Sequence, residues 1–412
     1  MSSRREPKHQ REDTSIFDLL GQEVMESMLA YAQQSTEQRQ IGSKVFDVER
    51  EAAVPRFDIS EIRAGPILGR GGFCDVSEVL AIHLQDIGQE EKKERMEESS
   101  VHNEFTDRHT REFIASHVIR DGDARYAMKE LSNKTKADGK RFVQGTVDLA
   151  LEAKFLAVLE HPNIIKMRGM VAGDIFKVER SFIVLDRLYG TLTDKMNEWK
   201  KREKRASKFF MIKTKNNTRM KELLIEKITV SYDLAFAMCY MHSLGVIYRD
   251  MKPENIGFDV RGDVKIFDLG LAKELCPEDL VDEVNDLYEM TSNTGSPRYM
   301  APEVCLGDPY NRKADVYSFG ILFWQICTTE VPFEHHDYQS FMDDVMLGNE
   351  RPKISKGMPA VWKNLITTSW SRDVSGRPTF EDIGCILEEE LTLLQGGDDT
   401  RPLSRSEASV GR

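Results

Sequence analysis

The strongest constraint on this chain is the stretch Val246-Ile247-Tyr248-Arg249-Asp250-Met251-Lys252-Pro253-Glu254-Asn255, followed thirteen residues after Asn255 by Asp268-Leu269-Gly270. An isolated Asp or Asn in a loop is ordinarily a turn former or a cap. Here Asp, Lys, Pro, Asn and Asp stand at fixed offsets, just after a helical pattern and around two β-like runs, Ile256 to Phe258 and Val264 to Phe267. The set suits phosphoryl transfer, which asks for alignment and charge neutralisation more than for covalent chemistry. Asp250 is placed to accept or orient a hydroxyl proton and Lys252 to meet a phosphate as a point charge. Asn255 and Asp268 offer hard oxygen ligands to Mg²⁺.

Further motifs flank this core. Upstream, Leu68-Gly69-Arg70-Gly71-Gly72-Phe73-Cys74-Asp75-Val76 reads as a glycine-rich turn between strands, ahead of Tyr126-Ala127-Met128-Lys129. Downstream come Gly295-Ser296-Pro297-Arg298-Tyr299, Ala301-Pro302-Glu303, Asp315-Val316-Tyr317-Ser318-Phe319-Gly320 and Gly376-Arg377-Pro378. Together these resemble the eukaryotic protein kinase family, over roughly Phe57 to Leu394. Lys252 and the loop before Ala301 resemble the Ser/Thr type, and Asp315 to Phe333 is most like the tyrosine-kinase-like group.

The resemblance implies an α+β, two-lobed fold, with a small antiparallel β lobe carrying one helix (about 57–185) and a larger, mainly α lobe (about 191–394). It implies ATP and Mg²⁺ as cofactors and protein Ser/Thr hydroxyls as acceptors. Leu68, Gly69, Gly71, Val76 and Ala127 would cover the nucleotide, Lys129 would take its phosphates with Glu152 as partner, and Asp186 and Leu188 would bind adenine through their backbone, behind them Leu185. Cys74 replaces the third glycine, which places a thiol at the loop tip near the phosphates, and Gly257 stands where an apolar side chain usually lies under adenine, with Phe258 as a candidate to fill the gap. Counting back from Glu303, Ser292 falls where an upstream kinase would act, with Arg249 to gather the phosphate. Acidic residues from 278 to 289 could partly mimic it. Glu303 and Arg377 match a buried structural ion pair.

The remaining 1–56 and 395–412 are extensions. Phe17, Leu20, Val24, Met28 and Tyr31 predict an amphipathic helix capped by Thr14 or Ser15, which packs on the catalytic domain or docks a partner. Residues 83–123, with the charged run 89–98, read as a surface insertion, partly helical or disordered. Lys200 to Lys221, with ten Lys/Arg and one acidic residue, reads as a solvated basic insertion, and the tail as disordered. The helix carrying Ile225, Ile228, Tyr232 and His242 ends at Gly245, so His242 is a packing residue. A formal charge of −12 argues against general nucleic-acid binding. Six scattered cysteines without a CxxC pair, no signal core and no membrane span lead us to expect a cytoplasmic location, with nuclear entry open. The competing expectation is a kinase-shaped scaffold with little or no turnover.

Overall fold

A computed structural model describes residues 22–39, 42–85, 101–177, 180–208 and 213–396. It forms two compact units: Met1–Ile41, Ala53–Ala153 and Arg168–Leu185 in the first, and Gly42–Ala52, Lys154–Met167 and Asp186–Arg412 in the second. Among the described residues no helix is long and apolar enough to cross a membrane.

The first unit runs α1 (Gln22–Gln38), β1 (Arg56–Phe57), β2 (Ile62–Arg70), β3 (Cys74–Ile82), α2 (Val101–Ser116), a small hairpin of β4 (Ile119–Arg120) and β5 (Asp123–Ala124), β6 (Tyr126–Leu131), α3 (Asn133–Lys136), α4 (Gly139–Val158), β7 (Met167–Val171) and β8 (Phe182–Asp186). Six strands form one sheet in the order β1-β7-β8-β6-β3-β2. β2, β3 and β6 are antiparallel neighbours. At the edge of this sheet the two-residue β1 joins β7 in parallel. Gly169 permits this, because a Cβ there would stand 2.5 Å from the Phe57 ring.

Two extension readings change. In α1 the buried side chains are Met25, Ala32 and Thr36, whereas Val24 and Tyr31 face solvent. The helix is turned by the fit of Met28 against Gly139, whose missing side chain admits the Met28 methyl. Phe17, Leu20 and the expected cap lie outside the described residues, as do the run 89–98 and nearly all of the tail.

The described part of the insertion is a docked helix. Ile114 and Val118 are buried, and Arg111 donates to both Glu61 oxygens at 2.7 and 2.8 Å while lying over Phe57. Glu61 also accepts from the Asp58 and Gln85 amides, so this buried carboxylate organises the start of β2.

The second unit contains α5 (Leu192–Lys208), α6 (Lys213–Ser243), β9 (Val246–Ile247), a hairpin of β10 (Ile256–Phe258) and β11 (Val264–Ile266), β12 (Lys273–Glu274) paired with β9, a hairpin of β13 (Leu280–Asp282) and β14 (Leu287–Tyr288), α7 (Pro302–Leu306), α8 (Lys313–Thr328), α9 (Ala360–Ser369) and α10 (Phe380–Gln395). α8 is buried from Ala314 to Ile326, which explains its nearly unbroken apolar sequence. Arg377 forks onto Glu303 at 2.5 and 2.9 Å beneath this layer. The described parts of the basic stretch, 200–208 and 213–221, are helical and belong to α5 and α6. Some of its charge is paired there, Arg202 with Glu226 at 2.7 Å and Glu203 with Lys227 at 2.7 Å.

Residues 42–52 also pack in this unit. The Lys44 amide and Ser43 hydroxyl both donate to the buried Glu274, the Phe46 ring packs tilted against Phe155, and Arg50 reaches the Val158 carbonyl.

Arg111→Ala leaves the Glu61 carboxylate buried with backbone donors alone. It should lower stability by about 3–5 kcal/mol, read as an earlier urea midpoint, and an unchanged midpoint would show that the helix is merely appended.

Candidate active site

In the first unit, β6 alternates against β3 so that Lys129 lies opposite Val76, with Ala127 buried one pleat away. The Lys129 ammonium meets Glu152 of α4 at 2.5 Å, and both side chains are nearly removed from water. Burying either charge alone is costly, so the pair fixes the rotation of α4 relative to the sheet. In the turn from β2 to β3, Leu68 is exposed, Gly69 has open space where a Cβ would project, and Gly71 N–H donates to the Cys74 carbonyl at 2.7 Å. The tip is therefore Gly72-Phe73. Cys74, expected at the tip, is instead the first residue of β3 with its thiol buried. Strand alternation turns it inward, away from the backbone that would face phosphates.

In the second unit, Asp250 is a buried carboxylate with three side-chain donors. Lys252 Nζ and Asn255 Nδ2 donate to Oδ2 at 2.7 Å each, and Ser296 Oγ donates to Oδ1 at 2.8 Å. Lys252 Nζ also donates to Ser296 Oγ at 2.9 Å, which joins the loop 248–255 and the segment 268–303 in one polar cluster. Asn255 is held by its amide nitrogen, on Asp250 Oδ2 and the Asp250 carbonyl, so its amide oxygen is the end suited to a cation. Asp268 takes a left-handed backbone with φ 62°, stabilised by the fully buried Leu269 after it. Gly295 is required beside the loop: with φ +105°, a Cβ there would strike the Arg249 carbonyl.

The loop itself is held from below. The wholly buried Asp315, in the first turn of α8, accepts from the Tyr248 and Arg249 amides at 2.8 Å each and pairs with His242 Nε2 at 2.9 Å. The Tyr248 hydroxyl donates to the Phe267 carbonyl at 2.6 Å. Sequence reasoning singled out neither Asp315 nor Ser296 as a site residue. A carboxylate opening an otherwise apolar helix was the available signal for the first.

The description "Protein kinase domain" matches residues 114–386, more than half of the chain. The chain belongs to the protein kinase family. Similar curated proteins include the dual specificity protein kinase shkD of Dictyostelium discoideum, 35% identical over 43% of this chain and 23% of its own length. The probable serine/threonine-protein kinase gdt4 of the same organism is 29% identical over 58% of this chain and 13% of its own length. The serine/threonine/tyrosine-protein kinase HT1 of Arabidopsis thaliana is 35% identical over 39% of each. The chain thus spans well under half the length of these relatives.

For a member of this family, Gly257 is the unusual residue, and the structure accounts for it. A Cβ at Gly257 would lie 2.6 Å from Leu188 Cδ1 and 3.3 Å from the Gly190 carbonyl. The Leu188 side chain, expected only for its backbone, occupies the space, and Phe258, the next residue of β10, is buried. Asp186 N–H donates to the Lys166 carbonyl at 3.0 Å.

Gly257→Ala should destabilise by about 1–3 kcal/mol through overpacking, and Leu188→Ala should relieve most of that loss. Additive thermal shifts in the double variant would rule out the contact.

Proposed function

We propose that the chain is an ATP-dependent protein kinase that transfers the γ-phosphate to Ser/Thr hydroxyls of protein substrates. The observation that carries this reading is the Asp250 carboxylate, held at once by Lys252, Asn255 and Ser296. An incoming hydroxyl would displace the Ser296 contact and donate its proton to Asp250, which aligns the oxygen for attack. Lys252, beside that oxygen, offsets charge on the γ-phosphate as it develops. Lys129, fixed by Glu152, would hold the other phosphates. Asn255 through its amide oxygen and Asp268 through its carboxylate form a hard-oxygen donor set that fits Mg²⁺, which when bound would neutralise phosphate charge.

Regulation through the activation segment is part of this reading. Arg249 Nη1 donates to Thr291 Oγ1 at 2.9 Å and to the Tyr310 hydroxyl at 3.2 Å, and Arg249 Nε donates to the Leu271 carbonyl. Ser292, the expected site, lies against Gly307 instead. Thr291 is therefore the hydroxyl whose phosphate would meet Arg249 directly, exposed to an upstream kinase. Three of the six acidic residues proposed as mimics have other partners: Asp279 pairs with Lys273, Asp282 holds its own turn, and Asp286 accepts from the Tyr288 hydroxyl. A cytoplasmic location, open to nuclear entry, is part of the proposal, as is docking of a partner on the exposed face of α1.

Purified protein with Mg-ATP should phosphorylate a generic protein substrate, and Asp250→Asn or Lys129→Met should cut the rate by at least about a hundredfold. Equal transfer by Asp250→Asn would refute the mechanism. Nucleotide binding without any transfer by the parent would favour the scaffold. Thr291→Ala should lower the activity reached after preincubation with ATP by roughly tenfold, the worth of one charge-assisted hydrogen bond, whereas Ser292→Ala should not.

A further inference from the structure

The tip of the glycine-rich turn is fastened to α3 and its cap and to the start of α4. The Phe73 carbonyl accepts from the Ser132 amide at 2.9 Å and from Thr135 Oγ1 at 2.7 Å. The Gly72 carbonyl accepts from Arg141 Nη2, and the Arg141 guanidinium lies over the Phe73 ring, 5.2 Å from its centre. The ring's seat depends on Gly145. A Cβ at that position would lie 3.1 Å from Phe73 Cβ, 3.0 Å from Leu131 Cδ2 and 3.1 Å from Thr135 Cγ2, each closer than ordinary packing allows.

Arg141 and Gly145 are four residues apart on α4, and Glu152 is eleven beyond Arg141. At ~100° per residue these three project within about 40° of one another. One helix face thus seats the tip of the turn at its start and pairs with Lys129 three turns later. The Arg141 guanidinium makes no ion pair with a carboxylate among the described residues, so its orientation comes from the Gly72 carbonyl and the Phe73 ring.

We infer that Arg141 is a positioning residue that latches the glycine-rich turn to α4, so that the turn and the Lys129–Glu152 pair are placed together by one helix. This rests on the kinase reading for its consequence in catalysis, though the latch is also measurable without turnover. A turn already fastened has less freedom to lose when ATP binds, and a helix displaced along its axis would carry both phosphate-facing elements with it. The latch acts on binding of the nucleotide, upstream of the proton transfer at Asp250.

The test uses the full-length protein in two measurements. In steady-state kinetics Arg141→Ala should raise KM for ATP about tenfold with kcat changed less than about twofold. Arg141→Lys keeps the charge but loses the flat fork, and should recover only part of the affinity. In hydrogen exchange without nucleotide, the amides of Gly71 to Phe73 should exchange faster in Arg141→Ala, while those of β6 keep their parental rates. An unchanged KM together with parental exchange in the turn would overturn the latch, as would equal acceleration across β6, which marks general loosening. If the parent fails to turn over ATP, the kinase reading falls, and the exchange measurement still decides the latch.

Discussion

The carboxylate of Asp315 is the constraint on which the second unit depends. It is fully buried, so it persists only because three donors meet it, from Tyr248 N, Arg249 N and His242 Nε2. Two of those donors are backbone amides of the catalytic loop, which stabilise Arg249 in a left-handed conformation with φ 69° that costs a non-glycine residue about 1–2 kcal/mol. That turn of the backbone aims Asp250 at Lys252 and Ser296 and sends the Arg249 side chain the opposite way, to Leu271 and Thr291. One buried charge therefore sets the direction of two working side chains. His242, which packs against Phe380 and has no chemical role of its own, is part of that setting.

The first unit solves a related problem with a pair of charges. Lys129 and Glu152 sit almost out of water, a poor source of stability but a strict selector of geometry, since any rotation of α4 that separates them exposes the cost of both. The docked α2 repeats the device with Arg111 and Glu61, which tie a helix reached through a long insertion to the entry of the sheet.

What could be read from the sequence was whatever depends on short spacing: the catalytic loop, the second aspartate, the lysine strand, the helix ending at Gly245. Contacts between distant segments were not legible. Leu188 and Gly257 are far apart in the chain, and nothing in either position announces that one fills the other's volume. Cys74 leaves the tip because the turn closes through the Gly71 to Cys74 hydrogen bond, which makes Cys74 the first residue of β3. Counting back from Glu303 points to Ser292, whereas the hydrogen bond from Arg249 reaches its neighbour Thr291, beside a turn that holds Asn293 left-handed. In α1 two apolar stripes compete, and the choice between them was made by Gly139, more than a hundred residues away.

Residues 42–52 bear on where this catalytic region begins. Glu274 is buried at the root of the activation segment, in the strand that pairs with β9 just before the catalytic loop, and two of its donors come from Ser43 and Lys44. The segment also covers Phe155 and the end of α4. A fragment cut at the first strand of the sheet would strip a buried carboxylate of both those donors. The smallest piece able to keep β12 in register therefore starts ahead of Ser43, on the far side of what sequence similarity alone would mark as the domain's edge.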